Sequence, residues 1–290
     1  MLIEIIDVII SGLLNGSVYA LMAIGLALVY GVTKAFNFAY GSFYNMGGYF
    51  AWVLLISLGM KGGYYTVFFT AIPFLLVVGF FLEKALVSPL RKRADWEMKV
   101  MMLTLGLGVF LDIGYIVAFG PQLKSLPEIV EGTISIGEFV FFNQDIVIFI
   151  ISITGLLCFG WILNNTRVGM AVKAVAQNPV GAQIVGIPKD FIFAATFAIS
   201  TVMVGLGGIL LCQKNFVNPQ ASWDIMVRAW VITAFGGMGS IRGALYAAFI
   251  IGMLEAFVGY TLGMIYIKIA NLVLLLTTLA LRPQGLMGKE

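Results

Sequence analysis

Nine apolar runs follow one another along the chain, near residues 5–32, 41–59, 63–85, 98–119, 145–163, 190–212, 226–241, 243–262 and 264–281. A hydrocarbon layer about 30 Å thick is crossed by roughly 20 apolar residues in a helix. In that medium every backbone N–H and C=O must find its partner inside the protein, which leaves helices or closed barrels. The runs have helix length rather than strand length. They therefore predict an all-α polytopic integral membrane protein with about nine spans, or eight to ten, because 226–241 is short and interrupted.

Composition supports this. Of 290 residues, 61% are hydrophobic and 11% are charged, whereas a soluble domain carries about 25% charged residues. No polar stretch is long enough for a second domain, so residues 1–290 read as a single membrane domain. Histidine is absent, which removes imidazole acid–base chemistry and histidine metal sites. Cys158 and Cys212 lie in apolar runs and read as buried free thiols. The N-terminus carries Glu4 and Asp7 and has no basic residue before the first run, so that run reads as a retained span starting outside.

Basic residues set the expected orientation. One side holds 12 of them: Lys34, Lys84, Arg91, Lys92, Arg93, Lys99, Arg167, Lys173, Lys189, Arg242, Arg282 and Lys289. The other holds 5: Lys61, Lys124, Lys214, Arg228 and Lys268. The richer side, with the C-terminus, is expected to face the cytoplasm. Residues 120–144, with Glu128, Glu131 and Glu138, are then external.

The segment from Asn164 to Pro188, NNTRVGMAVKAVAQNPVGAQIVGIP, is too polar to span and carries helix punctuation. Met170–Gln177 lacks helix breakers. Asn178 before Pro179 is a helix cap followed by a first-turn proline. Gly186 and Pro188 form a stop. Two helices of one or two turns each, meeting at a cytoplasmic elbow, are predicted. Val172, Val175, Val180 and Ile184 give it an apolar stripe, fit either for the chain's own helices or for a groove on a soluble partner. No phosphate-binding G-x-x-x-x-G-K-[ST] loop occurs, and no hydrolase motif. An energised activity would need a second polypeptide.

Two glycine-rich interruptions break the apolar helices: Tyr30–Tyr49, containing Asn37 and Asn45, and Ala234–Ala244, containing Gly236 and Gly237. Such breaks mark either a translocation path between helices or surface turns. Gly12–Gly16, Gly239–Gly243 and Gly259–Gly263 are spaced for close helix contact. Asp112, Arg228 and Glu255 are ionisable residues within apolar runs, where charge is costly. Arg228 can pair with Asp224 one turn away, or stand with Glu255 beside a path for a zwitterion. Asn37 and Asn45 could add neutral hydrogen bonds there.

Four stretches resemble one known family: GLLNGSVYALMAIGLALVYGVTKAFNFAYGSFYNMGGY, the elbow TRVGMAVKAVAQNPVGAQIVGI, NPQASWDIMVRAWVITAFGGMGSIRGALYAAFIIGMLEAF, and LRPQGLMG. Together they cover most of the chain and are similar to LivH-type permeases of ABC importers for branched-chain amino acids. The resemblance implies a transport subunit rather than an enzyme, translocating branched-chain or other apolar amino acids. It implies a homologous LivM-type permease, two cytoplasmic ATPase subunits that hold ATP–Mg, and a periplasmic binding protein. No cofactor is then bound by this chain. The elbow becomes the ATPase contact, through Val172, Lys173, Val175, Gln177, Asn178, Pro179, Ala182, Ile184 and Gly186. The pathway set is Asn37, Asn45, Arg228, Glu255, Gly236 and Gly237. Relatives of the family move urea or small amides, which is one alternative. An ion-coupled carrier acting alone through Asp112 or Glu255 is another.

Overall fold

The computed structural model describes residues 2–59, 62–136 and 139–288. Lys61, Glu138 and Lys289, which enter the charge pattern, lie outside the described residues. Each apolar run becomes helix: α1 (Leu2–Thr33), α2 (Tyr40–Trp52, prolonged by a π turn at Val53–Ser57), α3 (Gly63–Leu82), α5 (Trp96–Phe119), α6 (Asn143–Asn165), α9 (Lys189–Asn215), α10 (Ala221–Gly236), α11 (Ile241–Thr261) and α12 (Ile265–Leu281). A π turn at Glu83–Val87 and the short α4 (Ser88–Leu90) continue α3. The elbow supplies α7 (Arg167–Gln177) and α8 (Pro179–Ile184). One antiparallel pair, β1 (Thr133–Ile136) with β2 (Phe139–Phe142), precedes α6.

Among the described residues, six helices are long and apolar enough to cross a bilayer: Glu4–Thr33, Gly63–Leu90, Trp96–Phe119, Asn143–Asn165, Lys189–Asn215 and Ile241–Thr261. The other three apolar helices, α2, α10 and α12, have 13, 16 and 17 residues. At 1.5 Å per residue, 17 residues reach only about 25 Å. Six helices, not nine, therefore combine the length and the apolar character of a span among the described residues.

The interruptions differ from their sequence reading. The first is not made by glycine. Helix α1 stops at Thr33 because Lys34 takes a left-handed conformation, φ +57°, which ends a helix as a C-terminal glycine would. The glycines that follow, Gly41, Gly47 and Gly48, sit inside α2. The second interruption is glycine-made: α10 ends at Gly236, and Gly237 (φ +107°) and Gly239 (φ +80°) form the turn before α11. Helix α10 also starts earlier than expected, at Ala221, because the polar segment Ser222–Asp224 is helical. Cys158 is exposed on α6, contrary to its reading as buried; Cys212 is buried, and both are free thiols.

The chain forms two compact units. The first comprises 1–27, 128–156 and 227–290. Here α1 meets α11 through small residues. A Cβ on Gly252 would lie 2.7 Å from both the Gly12 carbonyl oxygen and Gly16 Cα, and one on Gly16 would lie 3.0 Å from Phe249 Cα. Gly12–Gly16 is thus an intrachain crossing. The two other glycine pairs serve turns: Gly243 faces Gly236 across the α10–α11 turn, and Gly263 (φ +102°) begins the α11–α12 turn.

The second unit comprises 28–127 and 157–226. Helix α9 is its axis and packs along α2 and α3. The α2–α9 crossing is backbone on backbone: a Cβ on Gly47 would lie 2.0 Å from the Gly205 carbonyl oxygen, and one on Gly208 equally close to that of Tyr44. Small residues let helices approach this way where lipid offers no hydrophobic drive toward association. Burial follows. Helix α9 is 78% buried over its apolar window, whereas α3, α5 and α6 are each 22% buried and turn most of their apolar surface outward.

Gly208→Val places a branched side chain against the Tyr44 backbone, and overpacking of this kind costs about 1–3 kcal/mol. Gly106, with nothing within 4 Å of a built Cβ, gains helix propensity on change to Ala, about 0.5–1 kcal/mol. Thermal unfolding in detergent is expected to show a lowered midpoint for G208V and none for G106A. Equal behaviour of the two would contradict the crossing.

Candidate functional site

The elbow is built as the sequence predicts at its caps and differs in length and facing. Thr166 Oγ1 accepts from Gly169 N at 3.1 Å and starts α7. Asn178 Oδ1 accepts from Val180 N (3.1 Å) and Gly181 N (2.9 Å), with Pro179 in the first turn of α8. Gly186, φ +85°, ends it. Helix α7 has 11 residues, three turns rather than the expected one or two, because the Thr166 cap lets it begin before Met170. A Cβ on Gly169 would lie 2.3 Å from the Ile162 carbonyl oxygen, so α7 doubles back tightly on the end of α6.

The predicted apolar stripe divides in two. Val172 and Val175 are 1% and 0% exposed, and Ala182 is also buried. These three hold the elbow to its own unit and cannot be surface contacts. Val180, Ile184 and Val185 are 69%, 81% and 75% exposed. Lys173, Gln177, Asn178, Pro179 and Gly186 are exposed as well, with Lys173 Nζ donating to Asn164 Oδ1 at 2.5 Å. One face of the elbow is thus structural, and the other presents apolar and polar groups outward.

In the same unit, Asn37 and Asn45 are buried. Asn37 Oδ1 accepts from Ala39 N (3.0 Å), a local turn that starts α2. Asn45 Nδ2 donates to the Pro219 carbonyl (3.1 Å) and to Ser222 Oγ (2.7 Å). Ser222 in turn donates to Asp112 Oδ1 at 2.7 Å. Helix α2, the head of α10 and α5 are joined by this relay, whose Ser222 sequence reasoning missed. Arg91, one of the basic residues on the richer side, has a buried side chain ion-paired with Glu83 of the π turn. Its guanidinium carbon lies 4.1 Å from the Phe193 ring centroid. Burial pushes its pKa down to about 10, which leaves it a cation at neutral pH.

The other unit brings Arg228 and Glu255 together. Arg228 Nε lies 3.0 Å from Glu255 Oε1. Tyr19 donates to Glu255 Oε2 at 2.8 Å, and Asn271 Nδ2 to Oε1 at 2.5 Å. Arg228 also stacks over the Tyr19 ring, 4.9 Å from its centroid. One carboxylate on α11 therefore gathers groups from α1, α10 and α12. Glu255 is 5% exposed and Arg228 retains 23% of its side-chain surface. A buried pair of this kind is stable only when hydrogen bonds complete it. Asn271 had a readable signal, an amide in an apolar run; Tyr19 had none.

Gly236 and Gly237 are buried and closely packed. A Cβ on Gly236 would lie 2.5 Å from Gly243 C, and one on Gly237 2.3 Å from Gly288 N. The reason is the C-terminal segment: Leu286 N donates to the Phe235 carbonyl (2.8 Å) and Met287 N to that of Gly236 (3.0 Å). The last carbonyls of α10 are satisfied by the ending LRPQGLMG rather than by water.

Removing one partner of a buried ion pair strands the other and costs about 3–5 kcal/mol. Glu255→Ala and Arg228→Ala are each expected to destabilise on that scale. The double variant should lose less than the sum, as read by denaturation in mixed micelles. Additive losses would show that the pair is not energetically coupled.

These features were compared with known proteins. The family described as branched-chain amino acid transport system / permease component matches residues 8–281. The high-affinity branched-chain amino acid transport system permease protein LivH of Escherichia coli K12 is 29% identical over 96% of this chain and 94% of its own length. The permease protein BraD of Pseudomonas aeruginosa, of the same description, is 28% identical over 97% and 94%. A probable LivH of Methanocaldococcus jannaschii is 28% identical over 96% and 91%. No solved structure matches. With its span-length apolar helices and this match over nearly its whole length, the chain belongs to the branched-chain amino acid transport permease family.

Proposed function

We propose that this chain is the membrane permease subunit of an ATP-driven importer for branched-chain or other apolar amino acids. One observation carries the reading: a capped, rigidly seated elbow that leaves Val180, Ile184 and Val185 outward on a chain with no nucleotide-binding loop. Exposed apolar groups on a polar, ordered element are suited to a partner's groove. In this reading two cytoplasmic ATPase subunits carry ATP–Mg and grip α8. A LivM-type permease completes the pore, and a periplasmic binding protein delivers the substrate. The elbow and C-terminus face the cytoplasm, in keeping with the basic-residue asymmetry. The chain works as one permease domain.

The partner contact is then narrower than the nine elbow residues of the sequence reading. Lys173, Gln177, Asn178, Pro179, Ile184 and Gly186 lie on the accessible face, joined by Val180 and Val185. Val172, Val175 and Ala182 act by holding the elbow in place. The pathway is assigned to the accessible part of Arg228, held by Glu255, and to the polar relay around Asn45. Asn37, Gly236 and Gly237 shape the helix ends that carry these groups.

The test is a reconstituted importer with I184D/V185D. Leucine uptake and ATP-coupled turnover are expected to be abolished, with unchanged amounts of permease in the membrane. Val175→Asp should instead lower the amount of folded permease, because it buries an unpaired charge. Wild-type uptake by I184D/V185D would overturn the docking assignment.

A further inference from the structure

Asp112 is the one carboxylate in α5 beyond its first turn. Residues 105, 109, 110, 113 and 117 around it are apolar and exposed. A charge facing hydrocarbon is costly, so an intramembrane carboxylate belongs on a partner, a cavity or a water-filled path. Among the described residues no basic side chain pairs with Asp112, and its only close polar neighbours are hydroxyls. Among the described residues the Asp112 carboxylate thus has hydroxyl partners and no cationic one.

Asp112 opens onto a cleft of about 50 Å³, lined also by the hydroxyls of Ser42 and Ser222, the aromatic rings of Phe38 and Trp223, and apolar groups including Val109 and Met226. A space of this size admits a group as large as a few waters. The polar elements are preorganised. Ser222 is fixed by Asn45, which is fully buried and keeps Oδ1 without a hydrogen-bond partner. The Ser42 carbonyl accepts from Tyr115 at 3.1 Å, which holds that turn of α2 in place.

The chemistry selects the ligand class. A divalent cation needs six or more oxygen ligands, and the cleft offers one carboxylate and two hydroxyls among apolar walls. A primary ammonium needs few acceptors, gains from a carboxylate, and is attracted to aromatic faces. An apolar body attached to it would lie along Val109 and Met226. We propose that the Asp112–Ser42–Ser222 cleft binds the ammonium group of an apolar amino acid, with Asp112 as its counter-ion and Ser222 as a positioning residue. This rests on reading the chain as an amino-acid permease and gives the polar relay around Asn45 a direct substrate contact, the Asp112 carboxylate.

The test uses the purified full chain in lipid nanodiscs, with Trp223 as reporter and W223F subtracted. Probes are L-leucine, 3-methylbutylammonium (no carboxylate), 4-methylpentanoate (no ammonium) and NaCl. Leucine and 3-methylbutylammonium are expected to give saturable fluorescence changes, and 4-methylpentanoate none. Losing a charge-assisted hydrogen bond is expected to weaken binding in D112N about tenfold or more. S222A, which keeps the charge, should weaken it about threefold, and it decides the matter if D112N does not fold. Unchanged affinity in the folded variants overturns the assignment. So does binding of 4-methylpentanoate equal to that of leucine, or the absence of a saturable response to leucine. A saturable response to sodium alone assigns the cleft to a metal ion and also overturns it. The chain is assayed without ATP or partners, so failure here is separable from failure of the importer reading, which shows only in uptake.

Discussion

The carboxylate of Glu255 is the point on which one half of the chain is organised. It accepts hydrogen bonds from Tyr19 and Asn271 and pairs with Arg228. Four helices, α1, α10, α11 and α12, thereby share one buried anion. In an apolar solvent this arrangement is nearly forced. Helix association gains little from hiding apolar surface when lipid is equally apolar, so close packing and polar contacts between helices must supply it. An acid placed there without donors would be strongly disfavoured, and with three donors it fixes register and rotation at once. The neighbouring Gly12–Gly16 face, set against Gly252, lets α1 come near enough for Tyr19 to reach.

The second unit uses the same two devices with different parts. Backbone contact at Gly47, Gly205 and Gly208 sets α9 against α2. The relay from Asn45 through Ser222 to Asp112 then orients α5 and the head of α10. At the end of α3, Glu83 of the π turn pairs with Arg91, just past α4. Asp112 and the Glu83–Arg91 pair place ionisable groups where charge is costly, and each sits where helices end or cross. Such placement is the expected mark of a membrane protein whose polar groups hold helices in register or face a path.

Much of the fold was legible because its signal is one-dimensional. Apolar runs gave the helices, and Asn178–Pro179 with Gly186 gave the elbow's corner and stop. What the sequence hid depends on facing. Val172 and Ile184 look alike in the chain, yet one is buried against its own unit and the other stands free. The first interruption reads as glycine-made because glycines crowd it, but Lys34 ends α1 while Gly47 and Gly48 pack α2 against α9. Arg228 offered Asp224 and Glu255 as partners. The Glu255 pairing spans helices distant in sequence, so spacing along one helix could not reveal it. The role of LRPQGLMG in capping α10 was invisible for the same reason: hydrogen bonds to Phe235 and Gly236 carry no local periodicity.

In the proposed reading the elbow is half anchor and half docking face, and the motive force comes from partner ATPases. Proteoliposomes containing this chain alone, given an inward sodium or proton gradient, test that claim against vesicles holding the complete assembly with ATP. Leucine accumulation only in the ATP-supplied assembly is the predicted result. Gradient-driven accumulation by the isolated chain would contradict the account.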